Sequence, residues 1–309
     1  MEKHFDVIIL GGGAGGYTAA LYCAQAGFKS AVVERLGPGG QIASAGQVDN
    51  YPGFPEGIDG FDLGQRMKEG AERAGAVTVS AEATAVALTG EEKTVETTAG
   101  SFTASCVVLA TGASPRELGL EREKTLRGRG VSYCATCDAM FYRGKTVAVV
   151  GGGNTAVQEA LHLARVCGKV YLIHRRDTLA APMTWLESLQ QAGVEVLWNS
   201  RVVDLDTDGQ VLSGIQLEDT RTGDKHPLPC QGLFVAIGRV PDTALFQGQV
   251  ELDQQGYLLA GEDTKTNLPG VFAVGDARQK PLRQLVTATA DGAVAAQGVG
   301  EYLTRKVRA

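Results

Sequence analysis

Two cysteines stand two residues apart, at Cys134 and Cys137, and an acid, Asp138, follows them directly. Cysteines at this spacing can close a disulfide through a short loop or open to a dithiol, and the second thiol lies close enough to resolve a mixed disulfide. A carboxyl beside them can supply or accept the proton that thiolate chemistry moves. The segment therefore predicts thiol–disulfide exchange, with Cys134, Cys137 and Asp138 as the catalytic candidates.

Cysteine pairs also occur as half of a zinc site, which needs two further Cys or His ligands, usually as a second close pair. The remaining cysteines and the histidines are scattered and show no ligand spacing: Cys23, Cys106, Cys167, Cys230, His4, His162, His174 and His226. We therefore expect no metal site. An inert buried pair is the second alternative, and the position of the pair after one nucleotide-binding signature and before another argues against it.

The size and composition of the chain set limits on its class. Its 309 residues predict about two domains, and its 44% hydrophobic residues suffice for packed cores. The net charge is −6 and no Lys/Arg run stands out, which argues against nucleic acid and anionic membrane surfaces. No secretory leader and no apolar stretch long enough for a membrane span are visible. We expect a cytoplasmic protein, in which a close cysteine pair is more often catalytic than structural.

A first βαβ pattern begins with an apolar strand at Val7–Leu10 and the turn Gly11-x-Gly13-x-x-Gly16. A helix over Tyr17–Ala26 and a strand over Ala31–Glu34 follow. Glycines in such a turn let the backbone approach a pyrophosphate, which rests on the helix N-terminus. Glu34 lies 18 residues past Gly16, where a carboxylate can accept both hydroxyls of an adenosine ribose. The alternative is a merely glycine-rich turn, and the strand, helix and acid in register favour a dinucleotide.

The pattern repeats after the cysteine pair, with a strand over Thr146–Val150, a turn from Gly151 to Ala156 and a helix over Thr155–Cys167. Glu34 lies 23 positions after Gly11, and the same offset from Gly151 leads to His174, followed by Arg175 and Arg176. An acid would repel a ribose 2′-phosphate, whereas two guanidinium groups would bind it. The first unit therefore prefers a cofactor with a free ribose and the second prefers NADP(H), unless the two arginines are a solvated strand end.

The two halves have the features of an internal duplication, because Gly232–Gly238 parallels the strand at Val107–Gly112. Strands and turns are expected from about 174 to 240, a linker at 113–130, helices at 61–74 and 284–303, and strands over 77–103. The strand at Val271–Asp276 lacks a βα unit of its own, so it returns the chain to the first domain. We predict an α/β fold with two Rossmann-like domains, the second (116–244) inserted into the first (1–115 and 245–309).

These motifs in this order resemble the small, bacterial-type thioredoxin reductases of the pyridine nucleotide–disulfide oxidoreductase family, over nearly the whole chain. The resemblance implies FAD in the first domain, NADPH in the second, a homodimer, and thioredoxin as the substrate. It assigns to FAD Gly11, Gly13, Ala14, Gly15, Gly16, Glu34, Gly40, Gln41, Asn50, Ala110, Thr111, Gly112, Gly275, Asp276, Arg283 and Gln284. It assigns to NADPH Gly151, Gly153, Asn154, Thr155, Ala156, His174, Arg175, Arg176, Ile237 and Gly238.

The resemblance also implies how electrons travel: from NADPH to the flavin, then to Cys137, then through Cys134 to thioredoxin, with Asp138 as the acid/base. The cysteine pair and the nicotinamide must use one flavin face in turn, so rotation of the domains about segments 113–118 and 242–247 is implied. Ala180 stands where the family usually has a third arginine, which predicts weaker discrimination against NADH.

Three other functions stay open at this stage. The same cofactors would serve a reductase or oxidase of another protein disulfide or a small-molecule disulfide. An NADP reductase without a disulfide is disfavoured by the cysteine pair. A redox sensor without turnover is disfavoured by two cofactor signatures beside two cysteines.

Overall fold

The computed structural model describes residues 3–44, 47–180 and 183–308. Six helices are described in these ranges: α1 (Ala14–Gln25), α2 (Gly60–Arg73), α3 (Ala135–Asp138), α4 (Asn154–Ala164), α5 (Met183–Gln191) and α6 (Leu285–Arg308). Short 3₁₀ turns lie at Gly40–Ser44, Ala139–Tyr142, Ala244–Phe246 and Gly275–Ala277. No helix within the described ranges is long and apolar enough to cross a membrane.

The strands in the same ranges follow in chain order: β1 (His4–Leu10), β2 (Ser30–Glu34), β3 (Gln47–Val48), β4 (Ile58–Asp59), β5 (Val77–Ser80), β6 (Ala83–Ala87), β7 (Lys93–Thr97), β8 (Gly100–Leu109), β9 (Ala113–Pro115), β10 (Val131–Ser132), β11 (Thr146–Val150), β12 (Lys169–Ile173), β13 (Glu195–Leu197), β14 (Ser200–Asp208), β15 (Val211–Asp219), β16 (Lys225–Pro229), β17 (Gly232–Val235), β18 (Arg239–Pro241) and β19 (Val271–Ala273). The α/β class expected from the sequence is confirmed.

The chain divides into two compact units. The first unit comprises Met1–Ser114 and Val240–Ala309, and the second unit comprises Pro115–Arg239. The second crossing between the units therefore lies at Arg239–Val240, a few residues before the predicted boundary at 244. The reason is packing, because Thr243 and Phe246 are buried and Phe246 belongs to the core of the first unit.

The first unit is built on a sheet with the strand order β5-β2-β1-β8-β7-β6, and β19 also pairs with β8. β5, β2, β1, β8 and β19 pair in parallel, whereas β6, β7 and β8 form an antiparallel meander. Strands β1 and β8 are buried along most of their length because α1 and α6 cover one face and a second apolar cluster fills the other. The side chain of Asp59 caps α2 by accepting the N–H groups of Phe61 and Asp62.

The second unit repeats this plan on a smaller scale. Its five strands pair in parallel in the order β10-β17-β11-β12-β13, and β14, β15 and β16 form a separate antiparallel meander. β17 lies beside β11 as β8 lies beside β1, with Ala148 opposite Leu233 and Ile8 opposite Val107. The structural parallel explains the duplicated sequence pattern.

Two expectations about the second unit were wrong. The stretch predicted to hold only strands and turns contains α5, whose Leu186 and Leu189 pack into the core beside Trp185. The segment predicted to be a linker at 113–130 is built into the unit, since Leu126 is buried in its core and Glu123 is only 1% exposed. The helical spacing of Trp185, Leu186 and Leu189 was a signal that sequence reasoning overlooked, whereas the burial of Glu123 shows only in the structure.

Candidate active site

The two cysteines form a disulfide at the N-terminus of α3, with their Cα atoms 5.3 Å apart. Cys134 is the N-cap residue of α3 in an extended conformation, and its carbonyl accepts the N–H groups of Cys137 and Asp138 at 3.2 and 3.1 Å. This one-turn helix holds the sulfur atoms at bonding distance. Because the sulfurs bond to each other, the structure gives no support to the zinc alternative.

Ser132 links the disulfide to the neighbouring acid. Its hydroxyl donates to Asp138 Oδ2 at 2.6 Å and accepts the backbone N–H of Cys134 at 3.1 Å. Ser132 ends β10 and is 3% exposed, so it cannot exchange these partners freely with water. Sequence reasoning did not select Ser132, because a serine two residues before a cysteine carries no signal of its own.

A second carboxyl, Glu159, reaches the same helix from α4. The backbone N–H of Ala135 donates to it, while Glu159 Oε2 is buried without a hydrogen-bond partner. Burial raises the pKa of Glu159 to about 7, and the negative charge of Asp138 adds to this effect; the Ala135 hydrogen bond and the charge of Arg239 oppose it. Sequence reasoning missed this residue because Glu159 lies 22 residues after Cys137.

Glu123 fixes the segment that precedes the cysteines. Its carboxylate accepts the N–H groups of Leu118, Gly119 and Leu120 and the hydroxyl of Tyr133, the last at 2.8 Å. Burial raises the pKa of Tyr133, and the hydrogen bond to Glu123 adds to this effect. The residue directly before Cys134 is therefore anchored through its side chain.

The first glycine turn connects β1 to α1 as predicted. Gly11 has a φ of +108°, and a Cβ there would lie 2.5 Å from the carbonyl oxygen of Ala110, so the turn packs closely against the end of β8. At Gly16, a Cβ would overlap the carbonyl oxygen of Gly11. No side chain caps α1 and no acid lies in its first turn, so its backbone donors are available to an anion.

Glu34 ends β2 beside this turn. Its Oε2 accepts the N–H of Gly12 at 2.6 Å, and Oε1 accepts the N–H groups of Leu36 and Gly37 at 2.8 and 3.3 Å. Three backbone bonds thus hold the carboxylate next to the glycine turn. This is the position from which it can also accept ribose hydroxyls.

Several other predicted residues of the first unit are brought together. The backbone N–H of Gly39, next to Gly40, donates to Gly12, and the Gln41 side chain donates to the carbonyl of Ala113. Asn50 donates to Gln284 across 234 positions of sequence at 3.2 Å.

The other predicted residues lie at strand ends or in loops. Thr111 follows β8 and donates to the carbonyl of Asp242 at 2.6 Å. Gly112 has a φ of +76°, and Gly275 and Asp276 lie in the 3₁₀ turn after β19. Arg283 stacks on the Tyr257 ring at 4.0 Å and its buried Nε has no hydrogen-bond partner, which leaves a cationic donor for a ligand.

The second glycine turn connects β11 to α4 and packs against the end of β17. A Cβ at Gly151 would overlap the carbonyl oxygen of Ala236, as one at Gly11 would approach that of Ala110. Again no side chain caps the helix and no acid lies in its first turn, which comprises Asn154, Thr155 and Ala156 after Gly153. Both turns therefore fit a phosphate-bearing ligand.

The loop after β12 returns to this turn. The ring of His174 fills the space beside Gly152, and the N–H of Ala180 donates to the carbonyl of Gly152 at 2.8 Å. Burial lowers the pKa of His174; the charges of Arg176 and Arg175 add to this effect, and hydrogen bonds with the Thr178 and Gly151 backbones oppose it. Both arginines are exposed.

Ile237 and Gly238 follow β17, and the carbonyl of Gly238 accepts the N–H of Arg116 at 3.0 Å. The structure therefore places every predicted residue of the second group in the second unit and every predicted residue of the first group in the first unit. The cysteine pair, Ser132, Asp138 and Glu159 belong to the second unit.

The chain matches the family of pyridine nucleotide-disulphide oxidoreductases over residues 5–292. It belongs to that family, and the resemblance expected from the sequence motifs is confirmed.

Among curated relatives, it is 42% identical to the thioredoxin reductase of Listeria monocytogenes, with 98% of this chain and 95% of the relative covered. It is 44% identical to that of Streptomyces coelicolor, with 96% and 94% covered. Among solved structures, it is similar to the thioredoxin reductase of Streptococcus pyogenes with a TM-score of 0.93 and 36% identity, covering 99% of this chain and 100% of that one.

Proposed function

We propose that this protein is an NADPH-dependent thioredoxin reductase. Members of its family use FAD and NADPH. When bound, FAD takes a hydride from NADPH and supplies two electrons to a disulfide. The observation that carries the proposal is the Cys134–Cys137 disulfide on a short helix in the same unit as the second glycine turn. The sequence and fold of named thioredoxin reductases, matched over nearly the whole chain, support it.

The residues of the first unit would hold FAD. The α1 N-terminus and its glycine turn would bind the pyrophosphate, and Glu34 would bind the adenosine ribose. The residues of the second unit would hold NADPH, with the α4 N-terminus on its pyrophosphate and Arg175 and Arg176 on the 2′-phosphate. The low pKa of His174 leaves its ring neutral near pH 7, so it would add bulk and hydrogen bonding rather than charge at this site.

The reduced cysteines would then act by thiol–disulfide exchange. The thiolate of Cys134 forms a bond to one thioredoxin sulfur while the thioredoxin disulfide breaks, and the departing sulfur takes a proton from Asp138. Cys137 next attacks the sulfur of Cys134, which regenerates the Cys134–Cys137 disulfide and releases dithiol thioredoxin. Ser132 would orient Asp138 through their 2.6 Å hydrogen bond.

The surface next to the disulfide favours a protein substrate over a small-molecule disulfide. Met140 and Phe141 lie in the 3₁₀ turn that follows α3 and are 52% and 44% exposed. Apolar side chains of this size, exposed beside reactive sulfurs, can bury area against a folded partner. A small disulfide needs no such contact.

Three further properties belong to this proposal. We propose a homodimer, which exposed apolar residues on the helices of the first unit support: Tyr22, Phe61, Val286 and Val294. Sedimentation equilibrium tests this directly, and a monomer at micromolar concentration would contradict it. We propose the cytoplasm as the location, because thioredoxin keeps thiols reduced there. We also propose that the two units rotate relative to each other, because cysteines and nicotinamide must reach the flavin in turn.

The decisive experiment mixes NADPH-reduced protein with oxidised thioredoxin and follows flavin absorbance by stopped flow. Wild-type protein should be yellow, lose its visible band with NADPH and regain it with thioredoxin. Cys134→Ser and Cys137→Ser should keep the loss of the band and abolish the recovery. Cys167→Ser removes a cysteine of the second unit that forms no disulfide in the structure, so it should behave as wild type. A double Cys134→Ser/Cys137→Ser variant that still reduces thioredoxin would refute the proposal.

The substrate class is tested separately. The variant Met140→Ala/Phe141→Ala should lower kcat/KM for thioredoxin by about tenfold or more, since exposed apolar anchors contribute at this level. It should leave kcat/KM for a small aromatic disulfide within about twofold. Equal losses with both substrates would favour the small-disulfide alternative.

A further inference from the structure

A buried charged cluster supports the loop that follows β19. Asp291 of α6 lies at its centre and is 7% exposed, with Arg278 and Lys280 at 3% each. Asp291 Oδ2 accepts from Arg278 Nε at 3.0 Å and from Lys280 Nζ at 2.7 Å, and Oδ1 accepts from Arg278 Nη2 at 2.8 Å. None of the three residues was selected from the sequence.

The same carboxylate also accepts a hydrogen bond from the backbone. Asp291 Oδ2 accepts the N–H of Gly275 at 2.9 Å, and this bond is buried. Gly275 has a φ of +68°, a conformation that an external anchor helps to maintain. A single side chain on α6 therefore fixes the first residue of the 3₁₀ turn that contains Asp276.

The cluster also forms hydrogen bonds near the end of the loop. Lys280 Nζ donates to the carbonyl of Thr287 at 3.3 Å, and the hydroxyl of Thr287 accepts the N–H of Gln284 at 3.1 Å. The carbonyl of Arg278 accepts from Arg283 Nη2 at 3.5 Å. The loop from Gly275 to Gln284 is thus tied to Asp291 at both ends.

The anchored turn lies beside the first glycine turn. A Cβ on Gly15 would lie 3.6 Å from the nitrogen of Gly275 and 3.0 Å from the carbonyl oxygen of Ala288. On α6, a Cβ at Gly292 would overlap the carbonyl oxygen of Gly15, so α6 and α1 are in backbone contact. Asp291 therefore sits on a helix whose position is fixed against the α1 N-terminus.

We propose that Asp291 is the positioning residue of the FAD site: it holds the loop from Gly275 to Gln284 in the conformation that binds the cofactor. The inference rests on the proposed function, because it takes Gly275, Asp276, Arg283 and Gln284 as FAD contacts. Asp291 itself does not need to touch FAD. Asp291 instead preorganises the residues that contact FAD, so that few groups lose conformational freedom when FAD binds.

The charges of the cluster suggest a matched set of variants. The wild-type cluster has one net positive charge. Asp291→Asn keeps the size of the side chain but removes the buried partner of both cations, so Arg278 keeps only the exposed Glu262 at 3.6 Å and Lys280 loses its carboxylate, which also threatens folding. Asp291→Asn/Lys280→Met restores one net positive charge yet lacks the ionised acceptor for Gly275. Lys280→Met alone keeps Asp291, its bond to Gly275 and its pair with Arg278.

The experiment measures the FAD dissociation constant of each apoprotein by quenching of flavin fluorescence, with circular dichroism and urea unfolding of the same samples. Loss of a hydrogen bond to a charged acceptor predicts about tenfold to hundredfold weaker FAD binding for Asp291→Asn/Lys280→Met, and for Asp291→Asn if it folds. Lys280→Met loses the bond to Thr287 but keeps the bond between Asp291 and Gly275, so it should weaken FAD binding less than Asp291→Asn/Lys280→Met does. A merely structural carboxylate would lower the urea midpoint and leave the dissociation constant unchanged.

Folded Asp291→Asn/Lys280→Met with a dissociation constant within about twofold of wild type would overturn the inference. Failure of both Asp291 variants to fold would also overturn it, because the cluster would then serve the fold rather than the site. Wild-type apoprotein that binds no FAD would instead refute the proposed function.

Discussion

Glu159 gives the sharpest test of the electrostatics around the disulfide. We predict that Glu159→Gln stabilises the protein increasingly as the pH rises. Glutamine has nearly the shape of glutamic acid and can still accept the N–H of Ala135, but it cannot ionise. The substitution therefore isolates the cost of placing a charge on Glu159 beside Asp138.

The magnitude follows from the shift in pKa. Burial raises the pKa of Glu159 from an ordinary 4.5 to about 7. Between these values the folded protein keeps a proton that the unfolded chain has released, so the free energy of unfolding falls as the pH rises. At about 1.4 kcal/mol per pH unit, the wild-type protein loses on the order of 3 kcal/mol across this window. Glu159→Gln avoids that loss.

Urea unfolding followed by tryptophan fluorescence measures this difference in the full chain. Both tryptophans, Trp185 and Trp198, lie in the second unit with Glu159, so their emission reports the relevant unit. The variant should exceed wild type in unfolding free energy by little near pH 5 and by about 3 kcal/mol near pH 8. Any pH-independent cost of burying the glutamine amide shifts the differences at about pH 5 and pH 8 equally, so the dependence of the difference on pH is unchanged.

The control is Glu187→Gln, which changes an exposed glutamate on α5 in the same unit. Its difference from wild type should not grow over this range. A difference between Glu159→Gln and wild type that stays constant from about pH 5 to pH 8 would refute the reasoning, because Glu159 would then be equally ionised in both states.

Four other substitutions test the site. Ser132→Ala should slow thioredoxin reduction by about tenfold without changing flavin reduction by NADPH, because Asp138 loses its 2.6 Å partner; an equal loss in both steps in stopped flow would contradict this. Arg175→Ala and Arg176→Ala should each raise KM for NADPH by about tenfold and leave KM for NADH within about twofold; an unchanged NADPH/NADH ratio in steady-state kinetics would exclude them from the phosphate site. Gly16→Ala should abolish FAD binding or prevent folding, because the added Cβ would overlap the carbonyl oxygen of Gly11. A variant that folds and binds FAD with the wild-type dissociation constant would contradict this.

The features that could be predicted from sequence are those whose partners are close along the chain or repeat at a fixed offset. The turn at Gly11–Gly16, the acid Glu34 and the equivalent position His174 follow from spacing within one βαβ unit. The Cys134–Cys137 disulfide follows from its own four residues. Local spacing constrains these features because the backbone alone brings the residues together.

The features that could not be predicted depend on contacts between distant elements. Ser132 acquires its role only when β10 ends beside Asp138, and Glu159 only when α4 packs against α3. Asp291 looks like one more acid on an alanine-rich helix until α6 folds back on the turn at Gly275. A buried charge is invisible in sequence because burial, unlike spacing, is a property of the whole fold.

Ala180 shows how such a contact changes the interpretation of a missing residue. From the sequence, Ala180 stands at a position where the family usually has an arginine that would bind the 2′-phosphate. In the structure its N–H donates to the carbonyl of Gly152, so the loop is fastened to the glycine turn by backbone at that position. The loop that carries Arg175 and Arg176 is therefore ordered without a third charge. In the proposed function, preference for NADPH would then depend on these two exposed guanidinium groups, and exposed charges are screened by salt. The NADPH/NADH ratio of kcat/KM should accordingly fall as ionic strength rises, and a ratio independent of salt would show that a buried group selects the phosphate.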